Sequence, residues 1–189
     1  MCDVEGRTRP THFAGVCQVV LSLMHLTAPQ WALFGRKDAQ QLAIVRAMVR
    51  DLAVPVEVVP VDIRREADGL AMSSRNAYLS SDQRLQALAL SQALEAGRNA
   101  AKRGDSAAGV REAALTHLSA APGVEVDYVA LVDPDTFIDL AGAGLGLPAP
   151  GEAVPCTGGT GGSARTGLLA LAARVGTTRL IDNALVRLR

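Results

Sequence analysis

The feature that most constrains the fold is a strand–helix–strand pattern between residues 30 and 61. Gln30–Gly35 (QWALFG) is a short apolar run closed by glycine, and Pro55–Val61 (PVEVVPV) is a β-branched run bounded by prolines. Between them Asp38 is placed to cap a helix over Ala39–Leu52, with Leu42, Val45, Ala47 and Val49 as apolar positions. Two strands joined through a helix lie parallel and cross over right-handedly. Both are expected to be buried, with the proline-flanked strand at an edge. Two strands are too few for a parallel sheet with both faces covered, so the unit reads as the tail of a larger doubly wound α/β domain.

The remaining elements follow from period and punctuation. Upstream, Val16, Val19, Val20, Leu23 and Met24 fall at helical spacing from Thr11, and Pro29 follows the end. The character changes after Arg64, which sets a boundary between residues 1–63 and 64–189. Ser80-Ser81-Asp82 predicts the start of an Ala/Leu-rich helix to about Arg103, which Gly104 breaks, and a second helix is expected over Ser106–Ala121. Val124–Val132 alternates like a strand. Ala141–Arg165, rich in Gly, Pro and Thr, predicts a long flexible loop. Leu168–Arg174 and Thr178–Leu188 predict a hairpin around Val175-Gly176-Thr177.

Composition narrows the function classes. Of 189 residues, 49% are hydrophobic and 20% charged, ample for a packed core, but only 3% are aromatic, so the core must rest on Ala, Leu and Val. Nineteen acids balance nineteen bases, so no global field attracts nucleic acid or an anionic membrane. Cys2, Cys17 and Cys156 are odd in number and lack Cys-x-x-Cys spacing, which suggests neither a disulfide framework nor a zinc site and favours a reducing cytoplasm. Met1–Pro10 has no signal-peptide apolar segment, and no apolar stretch reaches membrane-spanning length.

Three polar clusters stand at element ends. Phe34-Gly35-Arg36-Lys37-Asp38, with Gln40 and Gln41, joins strand to helix, where open α/β sheets bind ligands and helix N-termini favour anions. Gly35 would admit a phosphate to the backbone and Lys37 would supply a point charge. The plainer reading is an ordinary turn with a solvated Arg-Lys pair. Arg64-Arg65-Glu66-Ala67-Asp68-Gly69-Leu70-Ala71-Met72-Ser73-Ser74-Arg75-Asn76 follows the second strand. Ser73, Ser74 and Arg75 combine hydroxyl donors with a forked cation suited to a triphosphate, or form only a polar loop. Arg9-Pro10-Thr11-His12-Phe13 opens the first helix. A lone histidine at a helix start, such as His12, is more often a structural donor than a catalyst. His25 and His117 suggest no role.

In this order and spacing, these clusters resemble pantothenate synthetases, the pantoate–β-alanine ligases, and the actinobacterial members most of all. The resemblance covers Arg9–Phe13 with Gly15-Val16, Phe34-Gly35-x-Lys37-Asp38-x-Gln40-Gln41, Arg65-Glu66-x-Asp68 to Asn76 with Tyr78-Leu79, and the closing Gly176-Thr177-x-Arg179-Leu180-Ile181-Asp182-Asn183, from about Val4 to Val186. It implies a nucleotidyltransferase-like, Rossmann-type parallel sheet, of which residues 1–63 are the nucleotide-binding remainder. A small α+β domain with an antiparallel sheet follows, usually in a homodimer. The implied activity uses ATP and Mg2+ to adenylate pantoate, and the amine of β-alanine then displaces AMP to give pantothenate. Lys37, Ser73, Ser74 and Arg75 would hold the phosphates as catalytic residues, Gly35 and Asp38 would line the nucleotide site, and Arg64 and Met72 would lie near adenine. Gln41 would hold pantoate, while Arg9 and His12 would sit on the substrate side.

The sequence also departs from that family. No His-x-x-His occurs in it, so the family's His-x-Gly-His phosphate motif is absent, as are the second pantoate glutamine and the acids near Mg2+. Arg36 replaces a usual acid, Ala39 a larger residue, and the 141–165 stretch is longer than typical. These departures predict a start internal to the family's chain, or a decaying remnant, and no ligation by these residues alone. The competing reading is a non-catalytic dimerisation or interaction module with an exposed apolar edge and face. Balanced charge and few aromatics weaken a nucleic-acid-binding reading.

Overall fold

In the computed structural model, which describes residues 11–142 and 165–189, the chain divides into two units, 11–64 and Arg65–Arg189. The first begins with α1 (His12–Thr27). Ala28 ends this helix in a left-handed conformation, φ 43°, and its N–H returns to the Met24 carbonyl at 2.9 Å. Strand β1 (Trp31–Gly35) passes through a 3-10 turn, Arg36–Asp38, into α2 (Ala39–Asp51). Strand β2 (Glu57–Val61) then pairs parallel with β1, Trp31 opposite Glu57 and Gly35 opposite Val61. Pro60 is tolerated because β1 is the only described neighbour of β2.

The strands are not buried as expected. Trp31 and Leu33, which share one face, are 61% and 68% exposed, whereas Ala32 and Phe34 on the other face are half-buried. Helix α2 packs on this sheet and supplies the unit's inner residues, Leu42, Ala43 and Val45. One helix shields one face, so alternation replaces the two-sided burial of a complete parallel sheet. Of the apolar positions expected in α1, only Met24 is buried, and Val19 and Leu23 are exposed.

The second unit starts with an irregular segment, residues 65–73, and a 3-10 turn, Ser74–Tyr78. Helix α3 (Ser81–Arg103) carries a full capping box: the Ser80 hydroxyl accepts from the Gln83 N–H, and the Gln83 side chain accepts from the Ser80 N–H. Gly104, φ 87°, closes that helix, and α4 (Ala107–Ser119) follows, with Ser106 capping Gly109 N–H. Strands β3 (Val124–Val132), β4 (Arg165–Val175) and β5 (Thr178–Leu188) form an antiparallel sheet in that order. Gly176, φ 58°, stands first in the two-residue turn joining β4 and β5, the position where a primed hairpin turn calls for glycine. Strand β4 begins at Arg165, so the predicted 141–165 loop falls on residues that, apart from 141–142 and 165, lie outside the described ones.

The sheet and the two helices enclose one core, including Leu90, Leu94, Val110, Leu118, Leu169 and Leu171. Gly97 permits a close approach of α3 to the sheet and to α4. A Cβ there would lie 2.4 Å from Leu169 Cδ2 and 3.3 Å from the Val110 carbonyl oxygen. On β5 the inward row reads Leu180, Asp182, Ala184, Val186, Leu188, a carboxylate in the middle of an apolar series.

Candidate functional site

The first cluster occupies the turn from β1 to α2. A Cβ on Gly35 would meet nothing within 4 Å, and its φ of −68° is ordinary, so neither packing nor strain within the described fold demands a glycine. Asp38 stands at the N-cap position of α2 but makes no side-chain cap bond, contrary to the expectation from sequence; the preceding 3-10 turn gives it φ −92° and ψ 61°, outside the extended geometry of a capping residue. Its side chain is exposed, and Lys37 beside it is half-buried. Arg36 pairs with Asp62 at 3.0 Å.

One turn into α2 the two glutamines diverge. Gln40 is buried in the unit, while Gln41 opens on a groove of about 520 Å³ lined also by Thr11, His12, Gly15, Val16, Val19 and Val20 of α1 and its approach. The valines belong to the row placed at helical spacing in the sequence. Here they wall a groove with a carboxamide and an imidazole at its margin. Arg9, expected beside His12, lies outside the described residues.

The second cluster is held far more firmly. Arg65 donates two hydrogen bonds to Asp182, Nη1 to Oδ2 at 2.7 Å and Nη2 to Oδ1 at 3.0 Å, and Nη1 also reaches the Gly69 carbonyl. The Asp182 carboxylate thereby gains the partner that its inward position requires. Glu66 and Asp68 both receive Arg84 of α3, Asp68 from Nε at 2.9 Å and Glu66 from Nη2. Glu66 also accepts from Asn76 Nδ2 at 2.7 Å, and Asn76 Nδ2 donates to the Ala71 carbonyl. The bonds from Asn76 and Arg84 hold the Glu66 carboxyl below its usual range. The Leu70 N–H, with Arg84, does the same for Asp68, and the two carboxylates raise the Arg84 guanidinium.

Between these ties lie the predicted binding residues. Met72 is 48% exposed, Ser74 and Arg75 are exposed, and Ser73 is half-buried, its hydroxyl accepting from the Arg75 N–H at 3.2 Å. Arg75 Nη1 approaches the Arg179 carbonyl at 3.5 Å. Met72, Ser73, Ser74 and Arg75 therefore share one outward turn of the second unit. Gly35, Lys37, Asp38 and Gln41 share one strand-to-helix turn of the first, and Arg64 is exposed at that unit's end.

Reading the motif as phosphate-gripping missed its internal structure. Arg65, Glu66, Asp68 and Asn76 build the loop, and Arg84 and Asp182, outside it, anchor it. Two signals were available. Arg84 lies in the opening turns of α3, where the helix dipole disfavours a cation, and Asp182 interrupts an apolar strand row. No group of three potential metal ligands occurs among the described residues, and no described helix is long and apolar enough to cross a membrane.

Comparison with known proteins places this arrangement. The family model for pantoate-beta-alanine ligase matches residues 2–185. A pantothenate synthetase of Anaeromyxobacter dehalogenans is 51% identical over 181 residues, 95% of this chain and 55% of that protein. The crystal structure of pantothenate synthetase from Thermus thermophilus superposes with a TM-score of 0.78 at 43% identity, covering 95% of this chain and 58% of the other. A ligase structure from Francisella tularensis shares the fold at 23% identity, with a TM-score of 0.58 over 96% of this chain and 53% of the other. The chain spans about half the length of the curated relatives it matches. With both motif turns present and the family model matched almost throughout, the chain belongs to the pantoate–β-alanine ligase family.

Proposed function

We propose that this chain supplies the nucleotide- and pantoate-contacting turns of an ATP-dependent pantoate–β-alanine ligase. The carrying observation is the braced loop that turns Ser73, Ser74 and Arg75 outward while its other polar residues are consumed in holding it. In the proposed reaction the pantoate carboxylate attacks the α-phosphate of ATP, giving pantoyl adenylate and pyrophosphate. The β-alanine amine then attacks the acyl carbon, forming the amide as AMP leaves with the bonding pair and the amine loses a proton.

By the family resemblance, Lys37 of the first unit and Ser73, Ser74 and Arg75 of the second would each offer donors that stabilise charge on the phosphates. Gly35 leaves room for a nucleotide and Asp38 offers an uncommitted carboxylate towards its ribose. Met72 and Arg64 supply exposed surface for adenine. The groove beside Gln41 suits pantoate: Val16, Val19 and Val20 can face its geminal methyls while the carboxamide meets a hydroxyl or carboxylate. Mg2+ would accompany the triphosphate and offset its charge. The Francisella tularensis ligase was crystallised with β,γ-ATP and β-alanine, which supports the same substrates here. Homodimerisation follows from the family resemblance, and a cytoplasmic location from the cysteine pattern.

These 189 residues contain no His-x-x-His, so binding without ligation is proposed for them alone. A second reading, an interaction module, is favoured by the exposed Trp31, Leu33, Val19 and Leu23. Calorimetric titration of Mg-ATP with pantoate separates the two. Binding that weakens at least tenfold in Lys37→Ala supports the ligase reading, as a charged phosphate contact predicts about that loss. Absent binding contradicts it, and pantothenate formed by the isolated chain contradicts the restriction to binding.

A further inference from the structure

The ligase reading leaves Arg84 without a task, although it makes the strongest tie between the 65–76 loop and α3. We propose that Arg84 is a positioning residue for phosphate binding, acting through Glu66 and Asp68 to fix the turn that carries Ser73, Ser74 and Arg75. This inference rests on the ligase reading for its ligand, but its structural half stands alone.

Three observations carry it. Glu66 is a node: it takes Arg84 from the helix and Asn76 Nδ2 from the far end of the loop, so the entry and exit of the 66–76 segment meet on one carboxylate. Ser73–Arg75 lie immediately before that closure, and the Asn76 N–H also bonds the Ser73 carbonyl at 3.0 Å. Secondly, the Asn76 side chain is held through its NH2 group, because Oδ1 is buried with no hydrogen-bond partner among the described residues. Its orientation therefore depends on Glu66 and the Ala71 carbonyl, and the place of Glu66 depends on Arg84. Thirdly, a guanidinium suits the place best, since one fork addresses two carboxylates, which an ammonium does less well. The helix itself gains nothing from a cation so near its N-terminus.

The test compares Arg84→Gln and Arg84→Lys with Arg98→Gln, which removes another α3 arginine, 3.8 Å from Glu95 and outside the loop. Amide exchange is read by NMR at Arg75 and Asn76, together with Mg-ATP affinity. In Arg84→Gln, exchange at these two amides should quicken about tenfold and ATP affinity should fall by a similar factor, with the amides of β4 unchanged. Arg84→Lys should recover part of both losses, and Arg98→Gln should show neither. Unchanged exchange at Arg75 and Asn76, or an increase spread evenly over the second unit, overturns the positioning role. Failure of the unsubstituted chain to bind Mg-ATP instead overturns the ligase reading, so the two failures are distinguishable.

Discussion

Strand β4 of the second unit is buried from Gly167 to Ala173, whereas β1 of the first exposes Trp31 and Leu33, and α1 buries Met24 alone. The contrast is one of cover rather than composition, since both regions are rich in apolar residues. In the second unit two helices lie against a three-stranded sheet, and each inward row finds a facing row. In the first, a two-stranded sheet has α2 on one face and presents the other. The two turns proposed to bind substrate inherit this difference. The loop carrying Ser73–Arg75 is tied to α3 and β5 by charged pairs, while Lys37 and Asp38 ride on a short 3-10 turn without a side-chain cap. Rigidity at the first turn must come from elsewhere, by a ligand or by further covering structure.

Matched substitutions can break this comparison. The largest difference is expected between Leu169→Ala and Leu33→Ala in urea unfolding followed by circular dichroism. Leu169 is fully buried and its truncation should cost about 4 kcal/mol, whereas Leu33→Ala should stay within about 0.5 kcal/mol because its side chain already meets water. Equal costs would mean that the β1 face is covered in solution.

Charged pairs come next. Arg65→Ala strands the buried Asp182 carboxylate and should cost about 3 kcal/mol. Arg36→Ala loses a partner, Asp62, that is 94% exposed, and should cost less than about 1 kcal/mol.

A pH titration sharpens the account of the loop. The Glu66 and Asp68 carboxyls are depressed from ordinary values of 4.5 and 3.8. Groups whose folded pKa is lowered stabilise the fold above their unfolded pKa and lose that contribution as pH falls through the folded value. Loop order and nucleotide affinity should therefore hold from neutrality to about pH 5 and decline below about pH 4. In Arg84→Gln, which removes part of the cause, the decline should begin at higher pH.

The smallest effects separate the caps. Ser80→Ala removes half of a capping box and should cost about 1 kcal/mol, while Asp38→Ala, which loses no cap bond, should cost only a few tenths.

Much of this was legible in the residues. The 3.6 period, Ser80, Ser106, Gly104 and Gly176 marked every helix and the hairpin of the second unit, because local chemistry and tertiary packing agree there. Strand type and parallel pairing in the first unit were equally plain from QWALFG and PVEVVPV. What failed was burial: alternation against a continuous apolar run reports what a residue could pack on, and Trp31 and Leu33 find no cover among the described residues. The site divided the same way. The residue types of Ser73–Arg75 pointed to anion binding, but the partition of the 65–76 loop into holders and presenters depends on Arg84 and Asp182. Those contacts span 18 and 117 positions, beyond any local pattern. The groove beside Gln41 escaped for a related reason, since a valine row reads identically whether it faces a core or a ligand.

Peptide-resolved hydrogen exchange of the unsubstituted chain at neutral pH tests the central claim most directly, because it reads both units in one sample. The account predicts slowest exchange in Leu168–Val175 and the middle of α3, with Trp31–Gly35 and α1 faster by at least about a hundredfold. Uniform protection across the two units would contradict it.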